Sequence, residues 1–362
     1  MKRDLILFIP SIERGGVEKN LFLITNFLAA KNIKILVITA DKSRKKEFSN
    51  NIKFIYPKNI NFDGTKRYKK YFFCLLLLAK QLLFNKKKYI FSFQANIYCI
   101  VIAKLLGAKI IVRMNTAPQG WDHNFIKNKI YKYFIKKANG IIVNSQFFKN
   151  EVKKRYNVNS KFINNPFDFK KIKKLSDKKV KYFYPKKILK LITVGRITEQ
   201  KDQITILKSL KILKNNNIKF KLLLVGKGYL KNDLLSYVRD NNLKDYVEFI
   251  NFQKNPFCII KQADIFILSS LYEGSPNVLV EALYLNKKVI STNCYTGPKE
   301  ILKNQKYGDL FKIKDYKDLA KKIIDVRKKN KKIIPKSFLL KFDKDIVCTE
   351  YLRYINNIFN LK

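Results

Sequence analysis

The sequence predicts an α/β chain of two doubly wound, Rossmann-like domains. Three observations predict it. Short apolar runs alternate with helically spaced ones, the pattern of a parallel sheet covered on both faces. The alternation stops at a lysine-rich stretch, 165–187, and then restarts. A length of 362 residues with 47% hydrophobic residues is enough to bury two cores of ordinary size.

The first block begins with a strand at 5–9 and a turn after it. Val17, Leu21, Ile24 and Leu28 then fall at helical spacing and predict a helix over 17–30. Strands follow at 33–39, 89–93, 109–113 and 140–143. Helices lie between them at 96–106, 125–137 and 146–156. The run "YFFCLLLLAKQLLF", 71–84, is too short to span a bilayer comfortably and carries Lys80 and Gln81. Its flanks, "KRYKK" and "NKKK", are basic. It reads as a core helix, or as one whose second face meets a membrane surface.

The stretch "NPFDFKKIKKLSDKKVKYFYPKK" has weak periodicity and reads as the interdomain connection. The second block then gives a strand at 189–194, a helix from 202, a strand at 220–225 and a helix from 229. Strands at 247–250 and 264–268, a helix from 276 and a strand at 288–291 follow. A helix at 346–359 comes last. Two such domains bind ligands at the carboxyl ends of their strands, in the cleft where they face each other.

The net charge is +49. Lys greatly outnumbers Arg, and Asn is frequent, so compositional bias is one reading. Attraction of phosphate-bearing partners or an anionic membrane is the other. Five scattered cysteines without a C-x-x-C pair argue against a disulfide framework and a zinc site, and suit a reducing compartment. One histidine, His123, excludes a multi-histidine metal site. The start, "MKRDLILFIPSIERGG", reads as a first strand rather than a signal peptide.

Four stretches carry candidate chemistry. In "IPSIERGGVEKN", Gly15 and Gly16 follow a strand and open a helix, where backbone can approach an anion. In "TVGRITEQKDQ", Gly195 is followed by Arg196 and Lys201, two cations that can hold a diphosphate. In "LLLVGKGYL", Gly226 and Gly228 lie between a strand and a helix and read as a turn under a nucleotide. It lacks the third glycine of a dinucleotide fingerprint.

The fourth stretch, "YEGSPNVLVEAL", is the most informative. Ser275 is a candidate N-cap, with Pro276 at the first helical position. The first-turn N–H groups of Asn277 and Val278 then form an anion site. Glu281 shares a helix face with Asn277 and is placed to accept bonds from two vicinal hydroxyls. Glu273 lies before the helix, on the far side of the phosphates. Hydroxyl, phosphate, hydroxyl is the layout of a nucleotide sugar.

These residues resemble the retaining glycosyltransferases of family 4, which have the GT-B fold. The resemblance rests on "VGRITEQKD", "VGKGYLKNDL", "VEFINF", "ADIFILSSLYEGSPNVLVEAL" and "GPKEIL", in that order, with Glu273 and Glu281 as the E-x7-E signature. "GGVEKN" resembles the family's opening. The match is strong over 189–302 and loose before it. It implies an acceptor-binding domain at 1–166, with a C-terminal helix at 344–362 packing back on it, and a donor-binding domain at 167–343.

The resemblance also implies roles. Arg196 and Lys201 would bind the donor diphosphate, with Gly16 contacting it from the other domain. Glu281 would hold the ribose, Glu273 the transferred sugar, and Asn277 and Val278 a phosphate. Phe252 falls where the family holds the base. Many relatives have a histidine near the sugar at the end of an N-domain strand; "IVRMNTAP" supplies Arg113 and Asn115 there instead, as candidate contacts to sugar or acceptor.

The implied function is retaining transfer of a sugar, expected to be UDP-linked, to a glycan or lipid-linked acceptor in cell-surface polysaccharide, lipopolysaccharide or glycan biosynthesis. No metal or cofactor is expected, because two cations and a helix start can neutralise the leaving group. A cytoplasmic place, peripheral on the inner membrane face, is expected, with no specific nucleic-acid partner. The alternatives are a sugar-nucleotide epimerase or phosphorylase on the same fold, and a basic nucleic-acid binder.

Overall fold

In the computed structural model the chain is described except at residues 1–3, 14, 59, 63–64, 66, 85–88, 116–124, 180–184, 186, 295 and 361–362. It divides into two units, Met1–Phe167 with Lys341–Lys362, and Asp168–Leu340.

Unit 1 runs β1 (Asp4–Phe8), α1 (Gly16–Ala30), β2 (Lys34–Ile38), β3 (Lys53–Ile55), α2 (Arg67–Phe84), β4 (Tyr89–Ser92) and α3 (Asn96–Leu105). It continues with β5 (Lys109–Met114), α4 (Phe125–Ile135), β6 (Gly140–Val143), α5 (Gln146–Tyr156) and β7 (Lys161–Phe162). Among the described residues its seven strands are parallel, in the order β3-β2-β1-β4-β5-β6-β7. Strands covered on both faces are near-continuous apolar runs, and the buried "LILF" of β1, "IIV" of β5 and "GIIV" of β6 are such runs. Leu21, Ile24 and Leu28 of α1 pack on one face. Cys74, Leu78 and Leu82 of α2, with Cys99, Ile100 and Ala103 of α3, pack on the other.

Unit 2 runs α6 (Phe169–Ser176), β8 (Leu189–Val194), α7 (Gln203–Asn215), β9 (Phe220–Val225), α8 (Lys231–Asp240), β10 (Val247–Ile250) and α9 (Phe257–Gln262). Then come β11 (Ile265–Leu268), α10 (Asn277–Tyr284), β12 (Lys288–Thr292), α11 (Pro298–Ile301), β13 (Asp309–Phe311), α12 (Tyr316–Lys328) and α13 (Lys336–Leu340). The six described strands are again parallel, in the order β10-β9-β8-β11-β12-β13. The order reverses between β8 and β11, which makes that junction the ligand-binding point of a doubly wound sheet. The α/β, doubly wound expectation therefore holds in both units.

The last helix, α14 (Lys344–Phe359), returns to unit 1. Asp343 caps it by accepting from the Asp345 N–H, and Asn360 ends it in the left-handed region. Val347, Cys348, Tyr351, Ile355 and Phe359 are buried in the same cluster as the α1 side chains. The return is fixed by a parallel bridge between Phe167 and Asp343.

Three expectations need correction. The connection expected over 165–187 contains α6, whose Ile172 and Ser176 are buried and which packs on α9. Its paired lysines hide the apolar positions of a two-turn helix. The helix expected from Pro276 starts at Asn277 instead, with Pro276 extended at the cap (φ −71°, ψ 108°) and Ser275 outside it. No side chain caps this helix. The short strands β3, β7 and β13 were not expected, because two or three residues are too few to show a period.

Candidate active site at the strand ends of unit 2

The ends of β8 and β11 lie side by side, so the loops after them meet. The loop after β8 carries Gly195, exposed Arg196 and Lys201. The loop after β11 carries Ser269, Ser270 and Glu273, and leads into α10. Lys201 Nζ donates to Glu273 Oε1 across this junction. Ser270 Oγ donates to the same carboxylate oxygen at 2.7 Å.

The backbone around this pair is held just as closely. Thr296 Oγ1 donates to the Glu273 carbonyl. Ser269 Oγ donates to the Lys201 carbonyl at 2.7 Å, and Thr292 Oγ1 to the Ser270 carbonyl at 2.6 Å. The Leu271 N–H donates to the Gln200 carbonyl at 2.9 Å, and Gln200 Nε2 to the Tyr272 carbonyl at 3.0 Å. Arg196 Nη2 reaches Gln200 Oε1 at 3.1 Å, so the second cation leans on the same bridge. A charged pair fixed by neighbouring hydroxyls and amides is preorganised, which is what a site for developing charge requires.

Two glycines are dictated by close approach. A Cβ on Gly226 would lie 1.8 Å from the Gly195 carbonyl oxygen. The loops after β9 and β8 therefore touch backbone to backbone, and no larger residue fits. Gly297 has φ +79° and faces the Gly274 carbonyl, so the loop after β12 closes on the loop that carries Glu273. Gly228 also lies against the β8 loop, at the Ile197 carbonyl. The turn expected around Gly226 and Gly228 is thus a contact between loops.

In α10, Glu281 is 1% exposed and Asn277 is also buried, while Val278 is half-buried. Glu273, one loop earlier, is 8% exposed. An acid buried this deeply is not a solvated surface charge. Cys294, beside Glu273, is pushed up to about 12 by burial and by that carboxylate, so its thiol stays neutral. Phe252, after the edge strand β10, is half-buried.

The structure thus brings Gly195, Arg196, Lys201, Gly226 and Glu273 together, with Asn277, Val278 and Glu281 on the helix that follows. Ser269, Ser270, Thr292, Thr296 and Gln200 were missed by sequence reasoning. Their one signal was the consecutive serines at the end of β11, and serine pairs are common in loops.

The remaining candidates lie in unit 1. Gly15 caps α1 with extended backbone, and Gly16 is its first residue. The Glu18 carboxylate folds back to within 2.8 Å of where a Gly15 side chain would start. Burial raises the pKa of Glu18. Arg113 is held inside unit 1, with Nη1 buried and without a hydrogen-bond partner among the described residues. It is 1% exposed, and Nε donates to Tyr351 Oη at 2.9 Å and Nη2 to Asn165 Oδ1 at 2.7 Å. Its guanidinium also stands 5.6 Å from the Phe93 ring. Arg113 ties β5 to α14 inside the unit, and a guanidinium so enclosed offers no open face to a sugar. Asn115, half-buried, donates to the Phe93 carbonyl at 3.0 Å. His123 lies outside the described residues.

Two family models match the chain. Glycosyltransferase Family 4 matches residues 14–171, and Glycosyl transferases group 1 matches residues 176–335. An uncharacterized glycosyltransferase of Methanocaldococcus jannaschii is 39% identical over 48% of this chain and 44% of its own. A Campylobacter jejuni protein is 24% identical over 86% of each chain. It is named N-acetylgalactosamine-N,N'-diacetylbacillosaminyl-diphospho-undecaprenol 4-alpha-N-acetylgalactosaminyltransferase. An Anabaena protein solved with UDP and glucose superimposes with a TM-score of 0.76 at 14% identity, over 98% of this chain and 100% of its own.

Proposed function

The chain belongs to glycosyltransferase family 4, with the GT-B fold, and from that premise we propose that it transfers a sugar from a UDP-sugar to a lipid-linked or glycan acceptor, with retention of configuration. The setting is the assembly of cell-surface polysaccharide, lipopolysaccharide or a lipid-linked glycan. The observation that carries this reading is the Lys201–Glu273 pair at the β8–β11 junction, with Arg196 beside it and buried Glu281 on the following helix. The Campylobacter relative's name includes an undecaprenol-linked acceptor, and the Anabaena structure holds UDP and glucose. Both support the choice of substrates.

The mechanism follows from these parts. Breaking the glycosidic C–O bond leaves its electron pair, and a growing negative charge, on the nucleoside diphosphate. Arg196 forks onto phosphate oxygens, and Lys201 adds a point charge. The first-turn amides of α10 add a third favourable field. These groups supply in protein form the charge that a metal supplies elsewhere, so no metal or cofactor is assigned. When the donor enters, Lys201 turns from Glu273 to phosphate. The freed Glu273 carboxylate accepts bonds from hydroxyls of the transferred sugar. Glu281 holds the ribose. With retention, the acceptor hydroxyl attacks from the leaving-group side, and its proton passes to the departing phosphate oxygen.

A lipid-linked acceptor would be met at a membrane surface. The enzyme is proposed to sit on the inner face of the cytoplasmic membrane in peripheral contact with anionic lipid. No helix among the described residues is long and apolar enough to cross a bilayer.

The test has two stages. A thermal-shift comparison of UDP, GDP and ADP identifies the nucleotide, because a ligand specific for the folded state raises its melting temperature. The matching sugar nucleotides are then incubated with a polyprenyl-diphosphate sugar. Acceptor-dependent release of nucleoside diphosphate, with an axial-to-axial anomeric product, is the expected result. Interconversion of sugar nucleotides without an acceptor would instead indicate an epimerase, and sugar phosphate as product a phosphorylase.

A further inference from the structure

The outer side of α2 is as apolar as its inner side. Cys74, Leu78 and Leu82 face the core, while Tyr68, Phe72, Leu76 and Leu83 form a second stripe at helical spacing on the opposite face. Phe72 is 59% exposed and Leu83 is 65% exposed. α3 packs between α2 and α4, and its outer face continues the surface with Tyr98 and Leu105, the latter 78% exposed. Ile130 and Tyr133 extend it on α4. Scattered exposed apolar residues are ordinary, but this many on three helices packed in a row mark an interaction surface.

The charges on these helices have one sign. α2, α3 and α4 contain no Asp or Glu. Two cations at the start of α2 are satisfied within the unit: Arg67 pairs with Glu13 and Lys70 with Asp41. Lys69, Lys80, Lys104 and Lys132 are exposed among or beside the apolar side chains. A protein partner with ordinary surface charges would leave this composition unexplained. An anionic bilayer explains both halves of it. Apolar and aromatic side chains enter the headgroup–acyl boundary, and lysines extend along their stems to lipid phosphates.

We infer that the outer face of α2, α3 and α4 is a lipid-docking surface that inserts Phe72, Leu76, Leu83 and Leu105 among anionic phospholipid headgroups. This rests on the membrane location proposed above and deepens it by assigning the face and the mode of contact. Charge alone would draw this basic chain to any anion. Insertion predicts a contact that outlasts screening and has one orientation.

Position-specific labelling tests it. All five cysteines are buried, so a Cys introduced on the surface takes an environment-sensitive dye selectively. Leu76→Cys places the dye on the proposed face, and Asn357→Cys places it on the exposed side of α14. Vesicles of phosphatidylcholine, with and without phosphatidylglycerol, are added at low salt, and the salt is raised once they have bound, a step that the dye shift of an inserted face survives. The expected result is a blue shift for the dye at position 76 only, and only with phosphatidylglycerol.

In vesicle co-sedimentation of unlabelled protein, the triple variant Leu76→Ser, Leu83→Ser, Leu105→Ser is expected to bind at least about tenfold more weakly, with an unchanged melting temperature. If the full chain binds vesicles while the dye at position 76 stays in water, this face is wrong and the membrane location stands. If no vesicle binds, both fail. A blue shift that grows with protein concentration without lipid would assign the face to a second copy and overturn the inference.

Discussion

Lys201 and Glu273 lie 72 residues apart and meet at the junction of β8 and β11, where they hold each other in place. The pair couples stability to turnover. Replacing Lys201 by Ala leaves a nearly buried carboxylate without its cation, which costs stability, and removes a charge from the leaving group. Turnover is expected to fall about a hundredfold or more, and likewise for Arg196→Ala. Because Arg196 is exposed, its variant should keep the parent melting temperature, whereas Lys201→Ala should lower it. Steady-state rates with thermal unfolding of both variants check this; parent rates for both would refute the assigned roles.

Glu281→Gln tests the ribose contact separately. It keeps the shape and removes the charge of the acceptor oxygens. Affinity for UDP is expected to fall by about tenfold, the worth of a hydrogen bond to a charged group. Titration calorimetry with UDP reads this directly, and unchanged affinity would move the ribose elsewhere.

Gly226→Ala is expected to destabilise unit 2 by about 2 kcal/mol or more, because the new methyl must displace the Gly195 backbone. Gly195 precedes Arg196, so the shift should also lower turnover in the molecules that remain folded. Denaturant unfolding gives the first quantity, and an assay below the unfolding midpoint gives the second.

Arg113→Met should behave oppositely. It leaves Tyr351 Oη and Asn165 Oδ1 short of a donor inside unit 1, at a cost of about 2–4 kcal/mol. UDP affinity of the folded protein is expected to stay within about twofold. A selective loss of acceptor use at parent stability would restore the substrate contact expected from sequence.

Lys287 gives a pH dependence with a definite sign. Burial, and then nearby Lys331, pushes its ammonium down from 10.5 to about 8. Below about pH 8 both folded and unfolded chains hold the proton, and the burial cost is fully present. As pH rises from about 8 to about 10.5 the unfolded chain binds more protons, so this group's contribution to stability rises. The unfolding free energy of the parent minus that of Lys287→Met is expected to increase between about pH 7 and about pH 10. A flat or falling difference would contradict it.

Much of the fold was legible because parallel strands announce themselves. The strands at 140–143, 220–225 and 247–250 and the helix at 146–156 have the bounds that apolar runs and spacing gave them. Ser145 even marks the helix start, accepting from the Phe148 N–H. The lysine pairs of α6 masked its face, and the β3, β7 and β13 strands are too short to carry a pattern. At the site, "YEGSPNVLVEAL" displayed its acids and its helix, but not the partner of Glu273. A long-range ion pair has no local signature, and neither does the choice between burying and presenting Arg113. Both depend on which loops the sheet order makes neighbours.

The place of α14 has a consequence for how the chain is made. Synthesis runs from the N-terminus, so β1 to β7 leave the ribosome first, yet their core lacks the Tyr351, Ile355 and Phe359 side chains until the final helix emerges. Unit 2 is contiguous and has all its strands before that moment. It can therefore finish folding first, while the earlier-made sheet waits with the side of its core that receives α14 uncovered. A nascent chain of this protein depends on whatever shields that surface during the interval.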